Sequence, residues 1–165
     1  MAIILTGSIN MRQEIGNIWD HHSEKRWIVI TTNIGWKKDG ANPMGAGIAR
    51  QASDMAPKLA EWYGKRCRRY RSGTAVCLYK RPKFILFPTK PLNEAQPWMS
   101  WKNDSCPDLI RRSAKQLAKL VEVKNLFGDI ILPLVGCQNG NLRRGTVVPI
   151  LEEYLNDRFV LVERN

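Results

Sequence analysis

Two glycine-containing stretches stand out for the chemistry they permit. The first, Asn42-Pro43-Met44-Gly45-Ala46-Gly47-Ile48-Ala49-Arg50, comes after the apolar run Trp27-Ile28-Val29-Ile30 and opens an expected helix. Glycines at a strand-to-helix passage let the backbone approach a ligand closely, and a helix start offers unpaired N–H donors to an anion. The second, Gly136-Cys137-Gln138-Asn139-Gly140-Asn141, leaves the apolar run from Ile130 to Val135. Two such loops facing one another cradle phosphates through backbone N–H groups, without a basic side chain. A third irregular stretch, Pro88 to Asp104, carries Lys90, Trp98 and Trp101. Familiar nucleotide-binding motifs fit poorly. The chain has no Gly-x-x-x-x-Gly-Lys-Ser/Thr, and Gly45 and Gly47 lack the third glycine of a dinucleotide fingerprint.

The elements that must hold these stretches can be read from hydrophobic spacing. Met1 to Leu5 and Trp27 to Thr32 read as strands, the second apolar on both faces as in a covered sheet. Between them Met11 to His22 places Ile15, Ile18 and Trp19 at helical spacing. The long loop from Asn33 to Pro43 leads to a helix from about Gly45, broken near Ala56 by Pro57, and a second helical piece reaches about Cys67. Thr74 to Tyr79 and Lys83 to Phe87 read as an antiparallel hairpin. Ser105 is the expected cap of a helix whose apolar stripe runs from Leu109 to Val121. Ile130 to Val135 is a strand, Thr146 the expected cap of the last helix with Pro149 in its first turn, and Phe159 to Val162 the last strand. The alternation predicts one domain over residues 1–165, a three-layer α/β/α sandwich around a mixed six-stranded sheet. In such a sheet the loops leaving the strands gather at their carboxyl ends, where ligands bind.

Bulk composition narrows the class. The 165 residues are 44% hydrophobic, as in a globular protein, with no membrane-length apolar run and no secretory leader pattern, so a cytoplasmic protein is expected. Cys67, Cys77, Cys106 and Cys137 lack metal-ligand spacing, and His21 and His22 read as surface residues, so neither a metal nor a cofactor is expected. The 26 Lys and Arg against 15 Asp and Glu leave a net charge of +11. Basic clusters at Lys65 to Arg71, Lys80 to Lys83, Arg111-Arg112 and Arg143-Arg144 read either as a solvated face or as a track for nucleic acid.

The ordered motifs Thr32-Asn33, Met44 to Ala49, Phe87-Pro88-Thr89-Lys90, Trp101 to Ser105, and Leu132 to Leu142 resemble the macro domain family. The resemblance is closest to its branch of ADP-ribose hydrolases, which includes the human terminal ADP-ribose protein glycohydrolase and bacterial antitoxins that strip ADP-ribose from DNA. It implies a cleft for ADP-ribose. Met44, Gly45, Ala46, Gly47 and Ile48 would wrap the distal ribose and pyrophosphate, and Gly136, Cys137, Gln138, Asn139, Gly140, Asn141 and Leu142 would close over the phosphates. Asn33 would hydrogen-bond the distal ribose. Lys90, beside Thr89, would attack or position the anomeric carbon, which makes Lys90 and Asn33 the implied catalytic pair. An amine can do this if desolvation lowers its pKa; otherwise it neutralises a phosphate. Gly7, Ser8 and Ile9 match the adenine motif, with Ser8 where an aspartate is usual. Gln138 to Asn141 also lacks the catalytic aspartate of the human enzyme and is closer to the DNA-directed relatives.

The implied function is an ADP-ribosyl hydrolase that removes ADP-ribose from a macromolecule, DNA being one candidate, with a monomer as the default state. Three readings compete with it. One is a phosphatase on ADP-ribose 1″-phosphate, for which no His–Asp pair is visible near the loops. Another is a non-catalytic binder or sponge for ADP-ribose or a related nucleotide. The third is a basic nucleic-acid-binding domain, whose Trp36, Trp98 and Trp101 could stack on bases.

Overall fold

The computed structural model describes residues 10–164. The expected strand Met1 to Leu5 and the Gly7-Ser8-Ile9 motif lie outside the described residues. Among the described residues six strands form one sheet: β1 (Arg12–Ile15), β2 (Trp27–Asn33), β3 (Cys77–Tyr79), β4 (Phe84–Lys90), β5 (Ile130–Leu132) and β6 (Phe159–Glu163), in the order β1-β6-β5-β2-β4-β3. Every neighbouring pair is parallel except β3 and β4, the expected hairpin. Five α-helices accompany it among the described residues: α1 (Ile18–Ser23), α2 (Gly47–Met55), α3 (Leu59–Tyr70), α4 (Pro107–Val123) and α5 (Arg144–Tyr154).

Side chains alternate across a strand, so β2 and β4 each feed two cores. Ile28, Ile30, Phe84 and Leu86 pack with residues of α1, α2 and α3, such as Ile18, Ala52, Leu59 and Tyr63. Val29, Ile85 and Phe87 face Ile110, Leu117 and Val121 of α4 and Val147 and Leu151 of α5. The three-layer sandwich with a mixed six-stranded sheet is therefore what the chain forms. No helix of the described residues is long and apolar enough to cross a membrane.

Several local expectations are corrected. Met11 to His22 is not one helix. Its first half is edge strand β1, paired with β6 and continued by Gly16 N–H donating to Glu163 O at 2.8 Å. Ile15, whose spacing to Ile18 and Trp19 looked helical, is 69% exposed. The helix starts only after Asn17, whose Oδ1 accepts the Trp19 N–H at 3.0 Å. The expected surface histidines are half-buried, with His22 5.4 Å from the Phe84 ring. Strand β5 stops at Leu132, because Pro133 has no N–H for the ladder. Cys106, not Ser105, is the cap of α4, and Arg143, not Thr146, that of α5. Pro149 consequently lies inside α5, where the carbonyl it leaves unbonded is that of exposed Gly145.

Strand β4 runs on through Pro88 to Lys90, beyond the expected end at Phe87. The proline is tolerated because β3 pairs only with Phe84 to Leu86, so nothing on that side needs its N–H. On the other side the register with β2 slips: Thr32 faces Pro88, but Asn33 faces Lys90, and Thr89 is left without a partner.

Helix α3 is locked to the loop behind β2 by a glycine. A Cβ on Gly64 would stand 2.0 Å from Gly40 O and 2.5 Å from Asn42 N, both backbone atoms. Gly64→Ala should therefore destabilise the fold by about 1–3 kcal/mol, as overpacking does. Gly73→Ala, with nothing within 4 Å, should stay within about 0.5 kcal/mol. Denaturant unfolding of both variants measures the difference.

Candidate functional site

At the carboxyl ends of the strands the chain encloses a cleft of about 1320 Å³. Its first wall is the segment from Asn33 to Ile48. This segment has little regular structure, and side-chain amides hold it. Asn42, 1% exposed, places Nδ2 2.9 Å from Gly35 O and 3.1 Å from both Asn33 O and Asn33 Oδ1. Asn33 Oδ1 also accepts the Gly35 N–H at 2.9 Å, and Asn33 Nδ2 donates to Pro43 O at 2.8 Å. The backbone N–H of Asn42 donates to Ala60 O at 2.8 Å, which ties the loop to α3. Asn33 is thus a structural clamp first. One hydrogen of its Nδ2 remains for a ligand, since an amide nitrogen has two.

The second wall is the loop after β5. Gly136 adopts a positive φ of 75°, and its carbonyl accepts the Leu142 N–H at 3.0 Å, which closes the loop. Gly140 approaches so closely that a Cβ would lie 2.1 Å from Ser105 Oγ. Asn141 turns away from the cleft, and its Nδ2 donates to Asp104 Oδ1 at 2.7 Å. The two walls meet at Gly47, where a Cβ would come within 3.0 Å of Asn139 Nδ2.

Lys90 stands between them at the end of β4. The slip that leaves Thr89 unpaired brings Lys90 beside Asn33, and the spare Thr89 is held by Oγ1 donating to Thr32 O at 3.3 Å. Lys90 Nζ donates to Trp101 O at 2.7 Å. Partial burial lowers the Lys90 pKa from the ordinary lysine value, and the negative charge of Asp104 opposes that shift. An amine in this setting carries a larger neutral fraction than a surface lysine.

Of the residues assigned from sequence, Asn33, Met44 to Ile48, Thr89, Lys90, Gly136 and Gln138 to Gly140 line the cleft. Cys137, Asn141 and Leu142 do not. Cys137 and Leu142 pack on the core formed with α4 and α5, and burial pushes the Cys137 thiol up, so it is a poor nucleophile. Gly7, Ser8 and Ile9 are not among the described residues. Trp101 borders the cleft and is 48% exposed, whereas Trp36 and Trp98 are not among its lining residues.

Sequence reasoning missed two groups. Ser105, taken for a helix cap, is a lining residue whose buried Oγ has no hydrogen-bond partner. Asp104 is the carboxylate that acts on Lys90 and holds Asn141. Their position directly before the apolar stripe of α4, opposite the second glycine loop, was the available signal. No metal-binding cluster of His, Cys, Asp and Glu occurs among the described residues.

Neither a protein-family model nor a curated protein sequence matches the chain. Solved structures match closely in fold. The macrodomain of Thermus aquaticus DarG superposes with a TM-score of 0.70 at 24% identity, over 93% of this chain and 97% of that one. The macrodomain of Mycobacterium tuberculosis DarG does so with 0.69 at 20% identity, over 92% and 97%. Thermosipho africanus DarTG in complex with ADP-ribose gives 0.71 at 20% identity over 95% of this chain, which spans 42% of the length of that protein. At such identities the likeness is one of architecture, and the architecture of this chain is the macrodomain fold.

Proposed function

We propose that the cleft binds ADP-ribose and that the protein removes ADP-ribose from a macromolecule. The observation that carries this reading is the pairing of Asn33 with Lys90 at the ends of adjacent strands, between two glycine walls that meet at Gly47 and Asn139. Backbone N–H groups of both walls suit a pyrophosphate, and a cleft of about 1320 Å³ has room for a dinucleotide-sized ligand. The complex of Thermosipho africanus DarTG with ADP-ribose supports the ligand, since that protein contains a region of this fold.

In this reading the distal ribose lies against Asn33, and its anomeric carbon faces Lys90 Nζ. A neutral Lys90 Nζ bonds that carbon as the bond to the macromolecule breaks, the surplus proton of the amine passing to the leaving group, and water then cleaves the C–N bond to release ADP-ribose and the free amine. The net charge of +11 favours a substrate attached to nucleic acid.

Glycine substitution tests the ligand. Gly45 lines the cleft and no atom comes within 4 Å of a Cβ there, so Gly45→Val adds bulk at the wall without an internal clash. It should weaken ADP-ribose binding at least about tenfold in calorimetric titration while leaving Tm unchanged. Binding equal to wild type would contradict a two-walled pyrophosphate site.

Lys90 tests the chemistry. ADP-ribosylated DNA oligonucleotides and ADP-ribosylated protein are the substrates to offer, with released ADP-ribose as the readout. Lys90→Ala should lower turnover about a hundredfold or more, the lower range for a positioned catalytic group. Release from neither substrate, by a protein that binds ADP-ribose, leaves a non-catalytic binder.

The pH dependence follows from the environment of Lys90. A nucleophilic amine must be neutral, so the rate should rise with pH through the lowered Lys90 pKa. Asp104 holds that pKa up, and Asp104→Asn should therefore move the rise to lower pH. A rate that falls as pH rises would assign Lys90 a role as an ammonium instead.

A further inference from the structure

A second surface has no part in the cleft. Helix α3 buries Leu59, Tyr63, Gly64 and Cys67. Its other side presents Lys65, Arg68 and Arg69, all exposed and spaced three and four residues apart, so that they are neighbours on one face. From Lys58 to Arg71 there are six Lys and Arg, and Glu61 is the one acidic residue. Arg71 at the helix end reaches Glu94 at 2.7 Å. Among the described residues none of Lys65, Arg66, Arg68 and Arg69 forms an ion pair. Like charges at this spacing destabilise a helix, and an anionic partner would relieve them.

The cations are interleaved with aromatic rings. The Arg66 guanidinium lies 5.3 Å from the Trp62 ring centre and 5.7 Å from that of Tyr70, and Arg69 lies 5.3 Å from Tyr70 on its own account. Trp62 continues to Tyr79 of β3, 5.0 Å away between ring centres. Exposed Lys80 and Arg81 follow Tyr79 directly. Tyr70, at the other end, is 46% exposed. A duplex hides its bases and would use the charge alone. A single strand offers phosphates to the cations and unstacked bases to Tyr70.

We propose that this face of α3, with the β3 edge beside it, is a docking site for single-stranded nucleic acid. The site and the cleft share one loop. Gly64 packs on Gly40 and Asn42, and Ala60 O accepts the Asn42 N–H, so α3 and the Asn33 wall are in direct contact. The proposal deepens the reading of the cleft, because the helix that would hold the strand is the one that anchors the Asn33 wall. Its binding arm stands independently of that reading.

Fluorescence anisotropy with a labelled single-stranded oligodeoxynucleotide of mixed sequence tests it. The wild type should bind, with affinity falling as salt rises. Combining Lys65→Ser, Arg68→Ser and Arg69→Ser should flatten the log–log salt slope by about 2, the release expected for three lost phosphate contacts on a single strand. Tyr70→Ala should weaken binding about fivefold or more and leave the slope unchanged. Both variants should retain wild-type Tm and ADP-ribose affinity. Wild-type binding by the triple variant would overturn the site. So would equal affinity for the matching duplex or for heparin combined with a silent Tyr70→Ala, because charge alone would then explain the surface. Failure of ADP-ribose to bind while the oligonucleotide does would sink the cleft reading and leave this one standing.

Discussion

The amide of Asn42 is the interaction on which the candidate site depends. The connection between β2 and α2 is long, and a long loop carries many backbone groups that regular structure does not satisfy. One buried amide gathers Gly35 O, Asn33 O and Asn33 Oδ1, while Asn33 spends its own amide on Gly35 and Pro43. The loop is thereby held to the end of β2, and the Asn42 N–H fastens it to α3. Asn42 Oδ1 itself is buried without a hydrogen-bond partner, so the clamp is carried by the Asn42 Nδ2 donor and by Asn33. It fixes where Met44 to Gly47 stand, and hence one wall of the cleft.

The second constraint is the slip between β2 and β4. Without it Lys90 would fall level with Ile34, and the alternation of side chains would put it on the opposite face from Asn33. Pro88 lies where β3 no longer pairs, Thr89 is passed over, and Lys90 arrives beside Asn33. Its ammonium then finds a carbonyl, Trp101 O, rather than a carboxylate in direct contact. Burial without a close ion pair is the condition that lowers a lysine pKa, and Asp104 only partly offsets it. The strand irregularity and the altered proton affinity are thus one feature.

Charge is distributed on the same logic. Lys90 stands between the glycine walls, Lys37, Arg50, Lys102 and Arg164 also line the cleft, and the unpaired cations of α3 lie outside it. The two surfaces are joined through Gly64 and the Asn42 loop.

Much of this was legible in the chain. Apolar runs such as Trp27 to Ile30 and the Leu109 to Val121 stripe announce strand and helix because burial demands a period, and the alternation of the two gives the layers. The glycine loops were readable for the same local reason. The split of Met11 to His22 was not, since Ile15 keeps helical spacing but is placed by its pairing with β6, a partner far along the chain. Ser105 and Asp104 were hidden similarly, their roles being set by Gly140, Asn141 and Lys90. The sequence by itself determined the elements, the glycine walls and the excess of positive charge, all of which follow from residue type and short-range spacing. Only tertiary structure decided which amide clamps the loop, how the slip aims Lys90 at Asn33 and which cations stay unpaired, because each depends on contacts between residues distant in the chain.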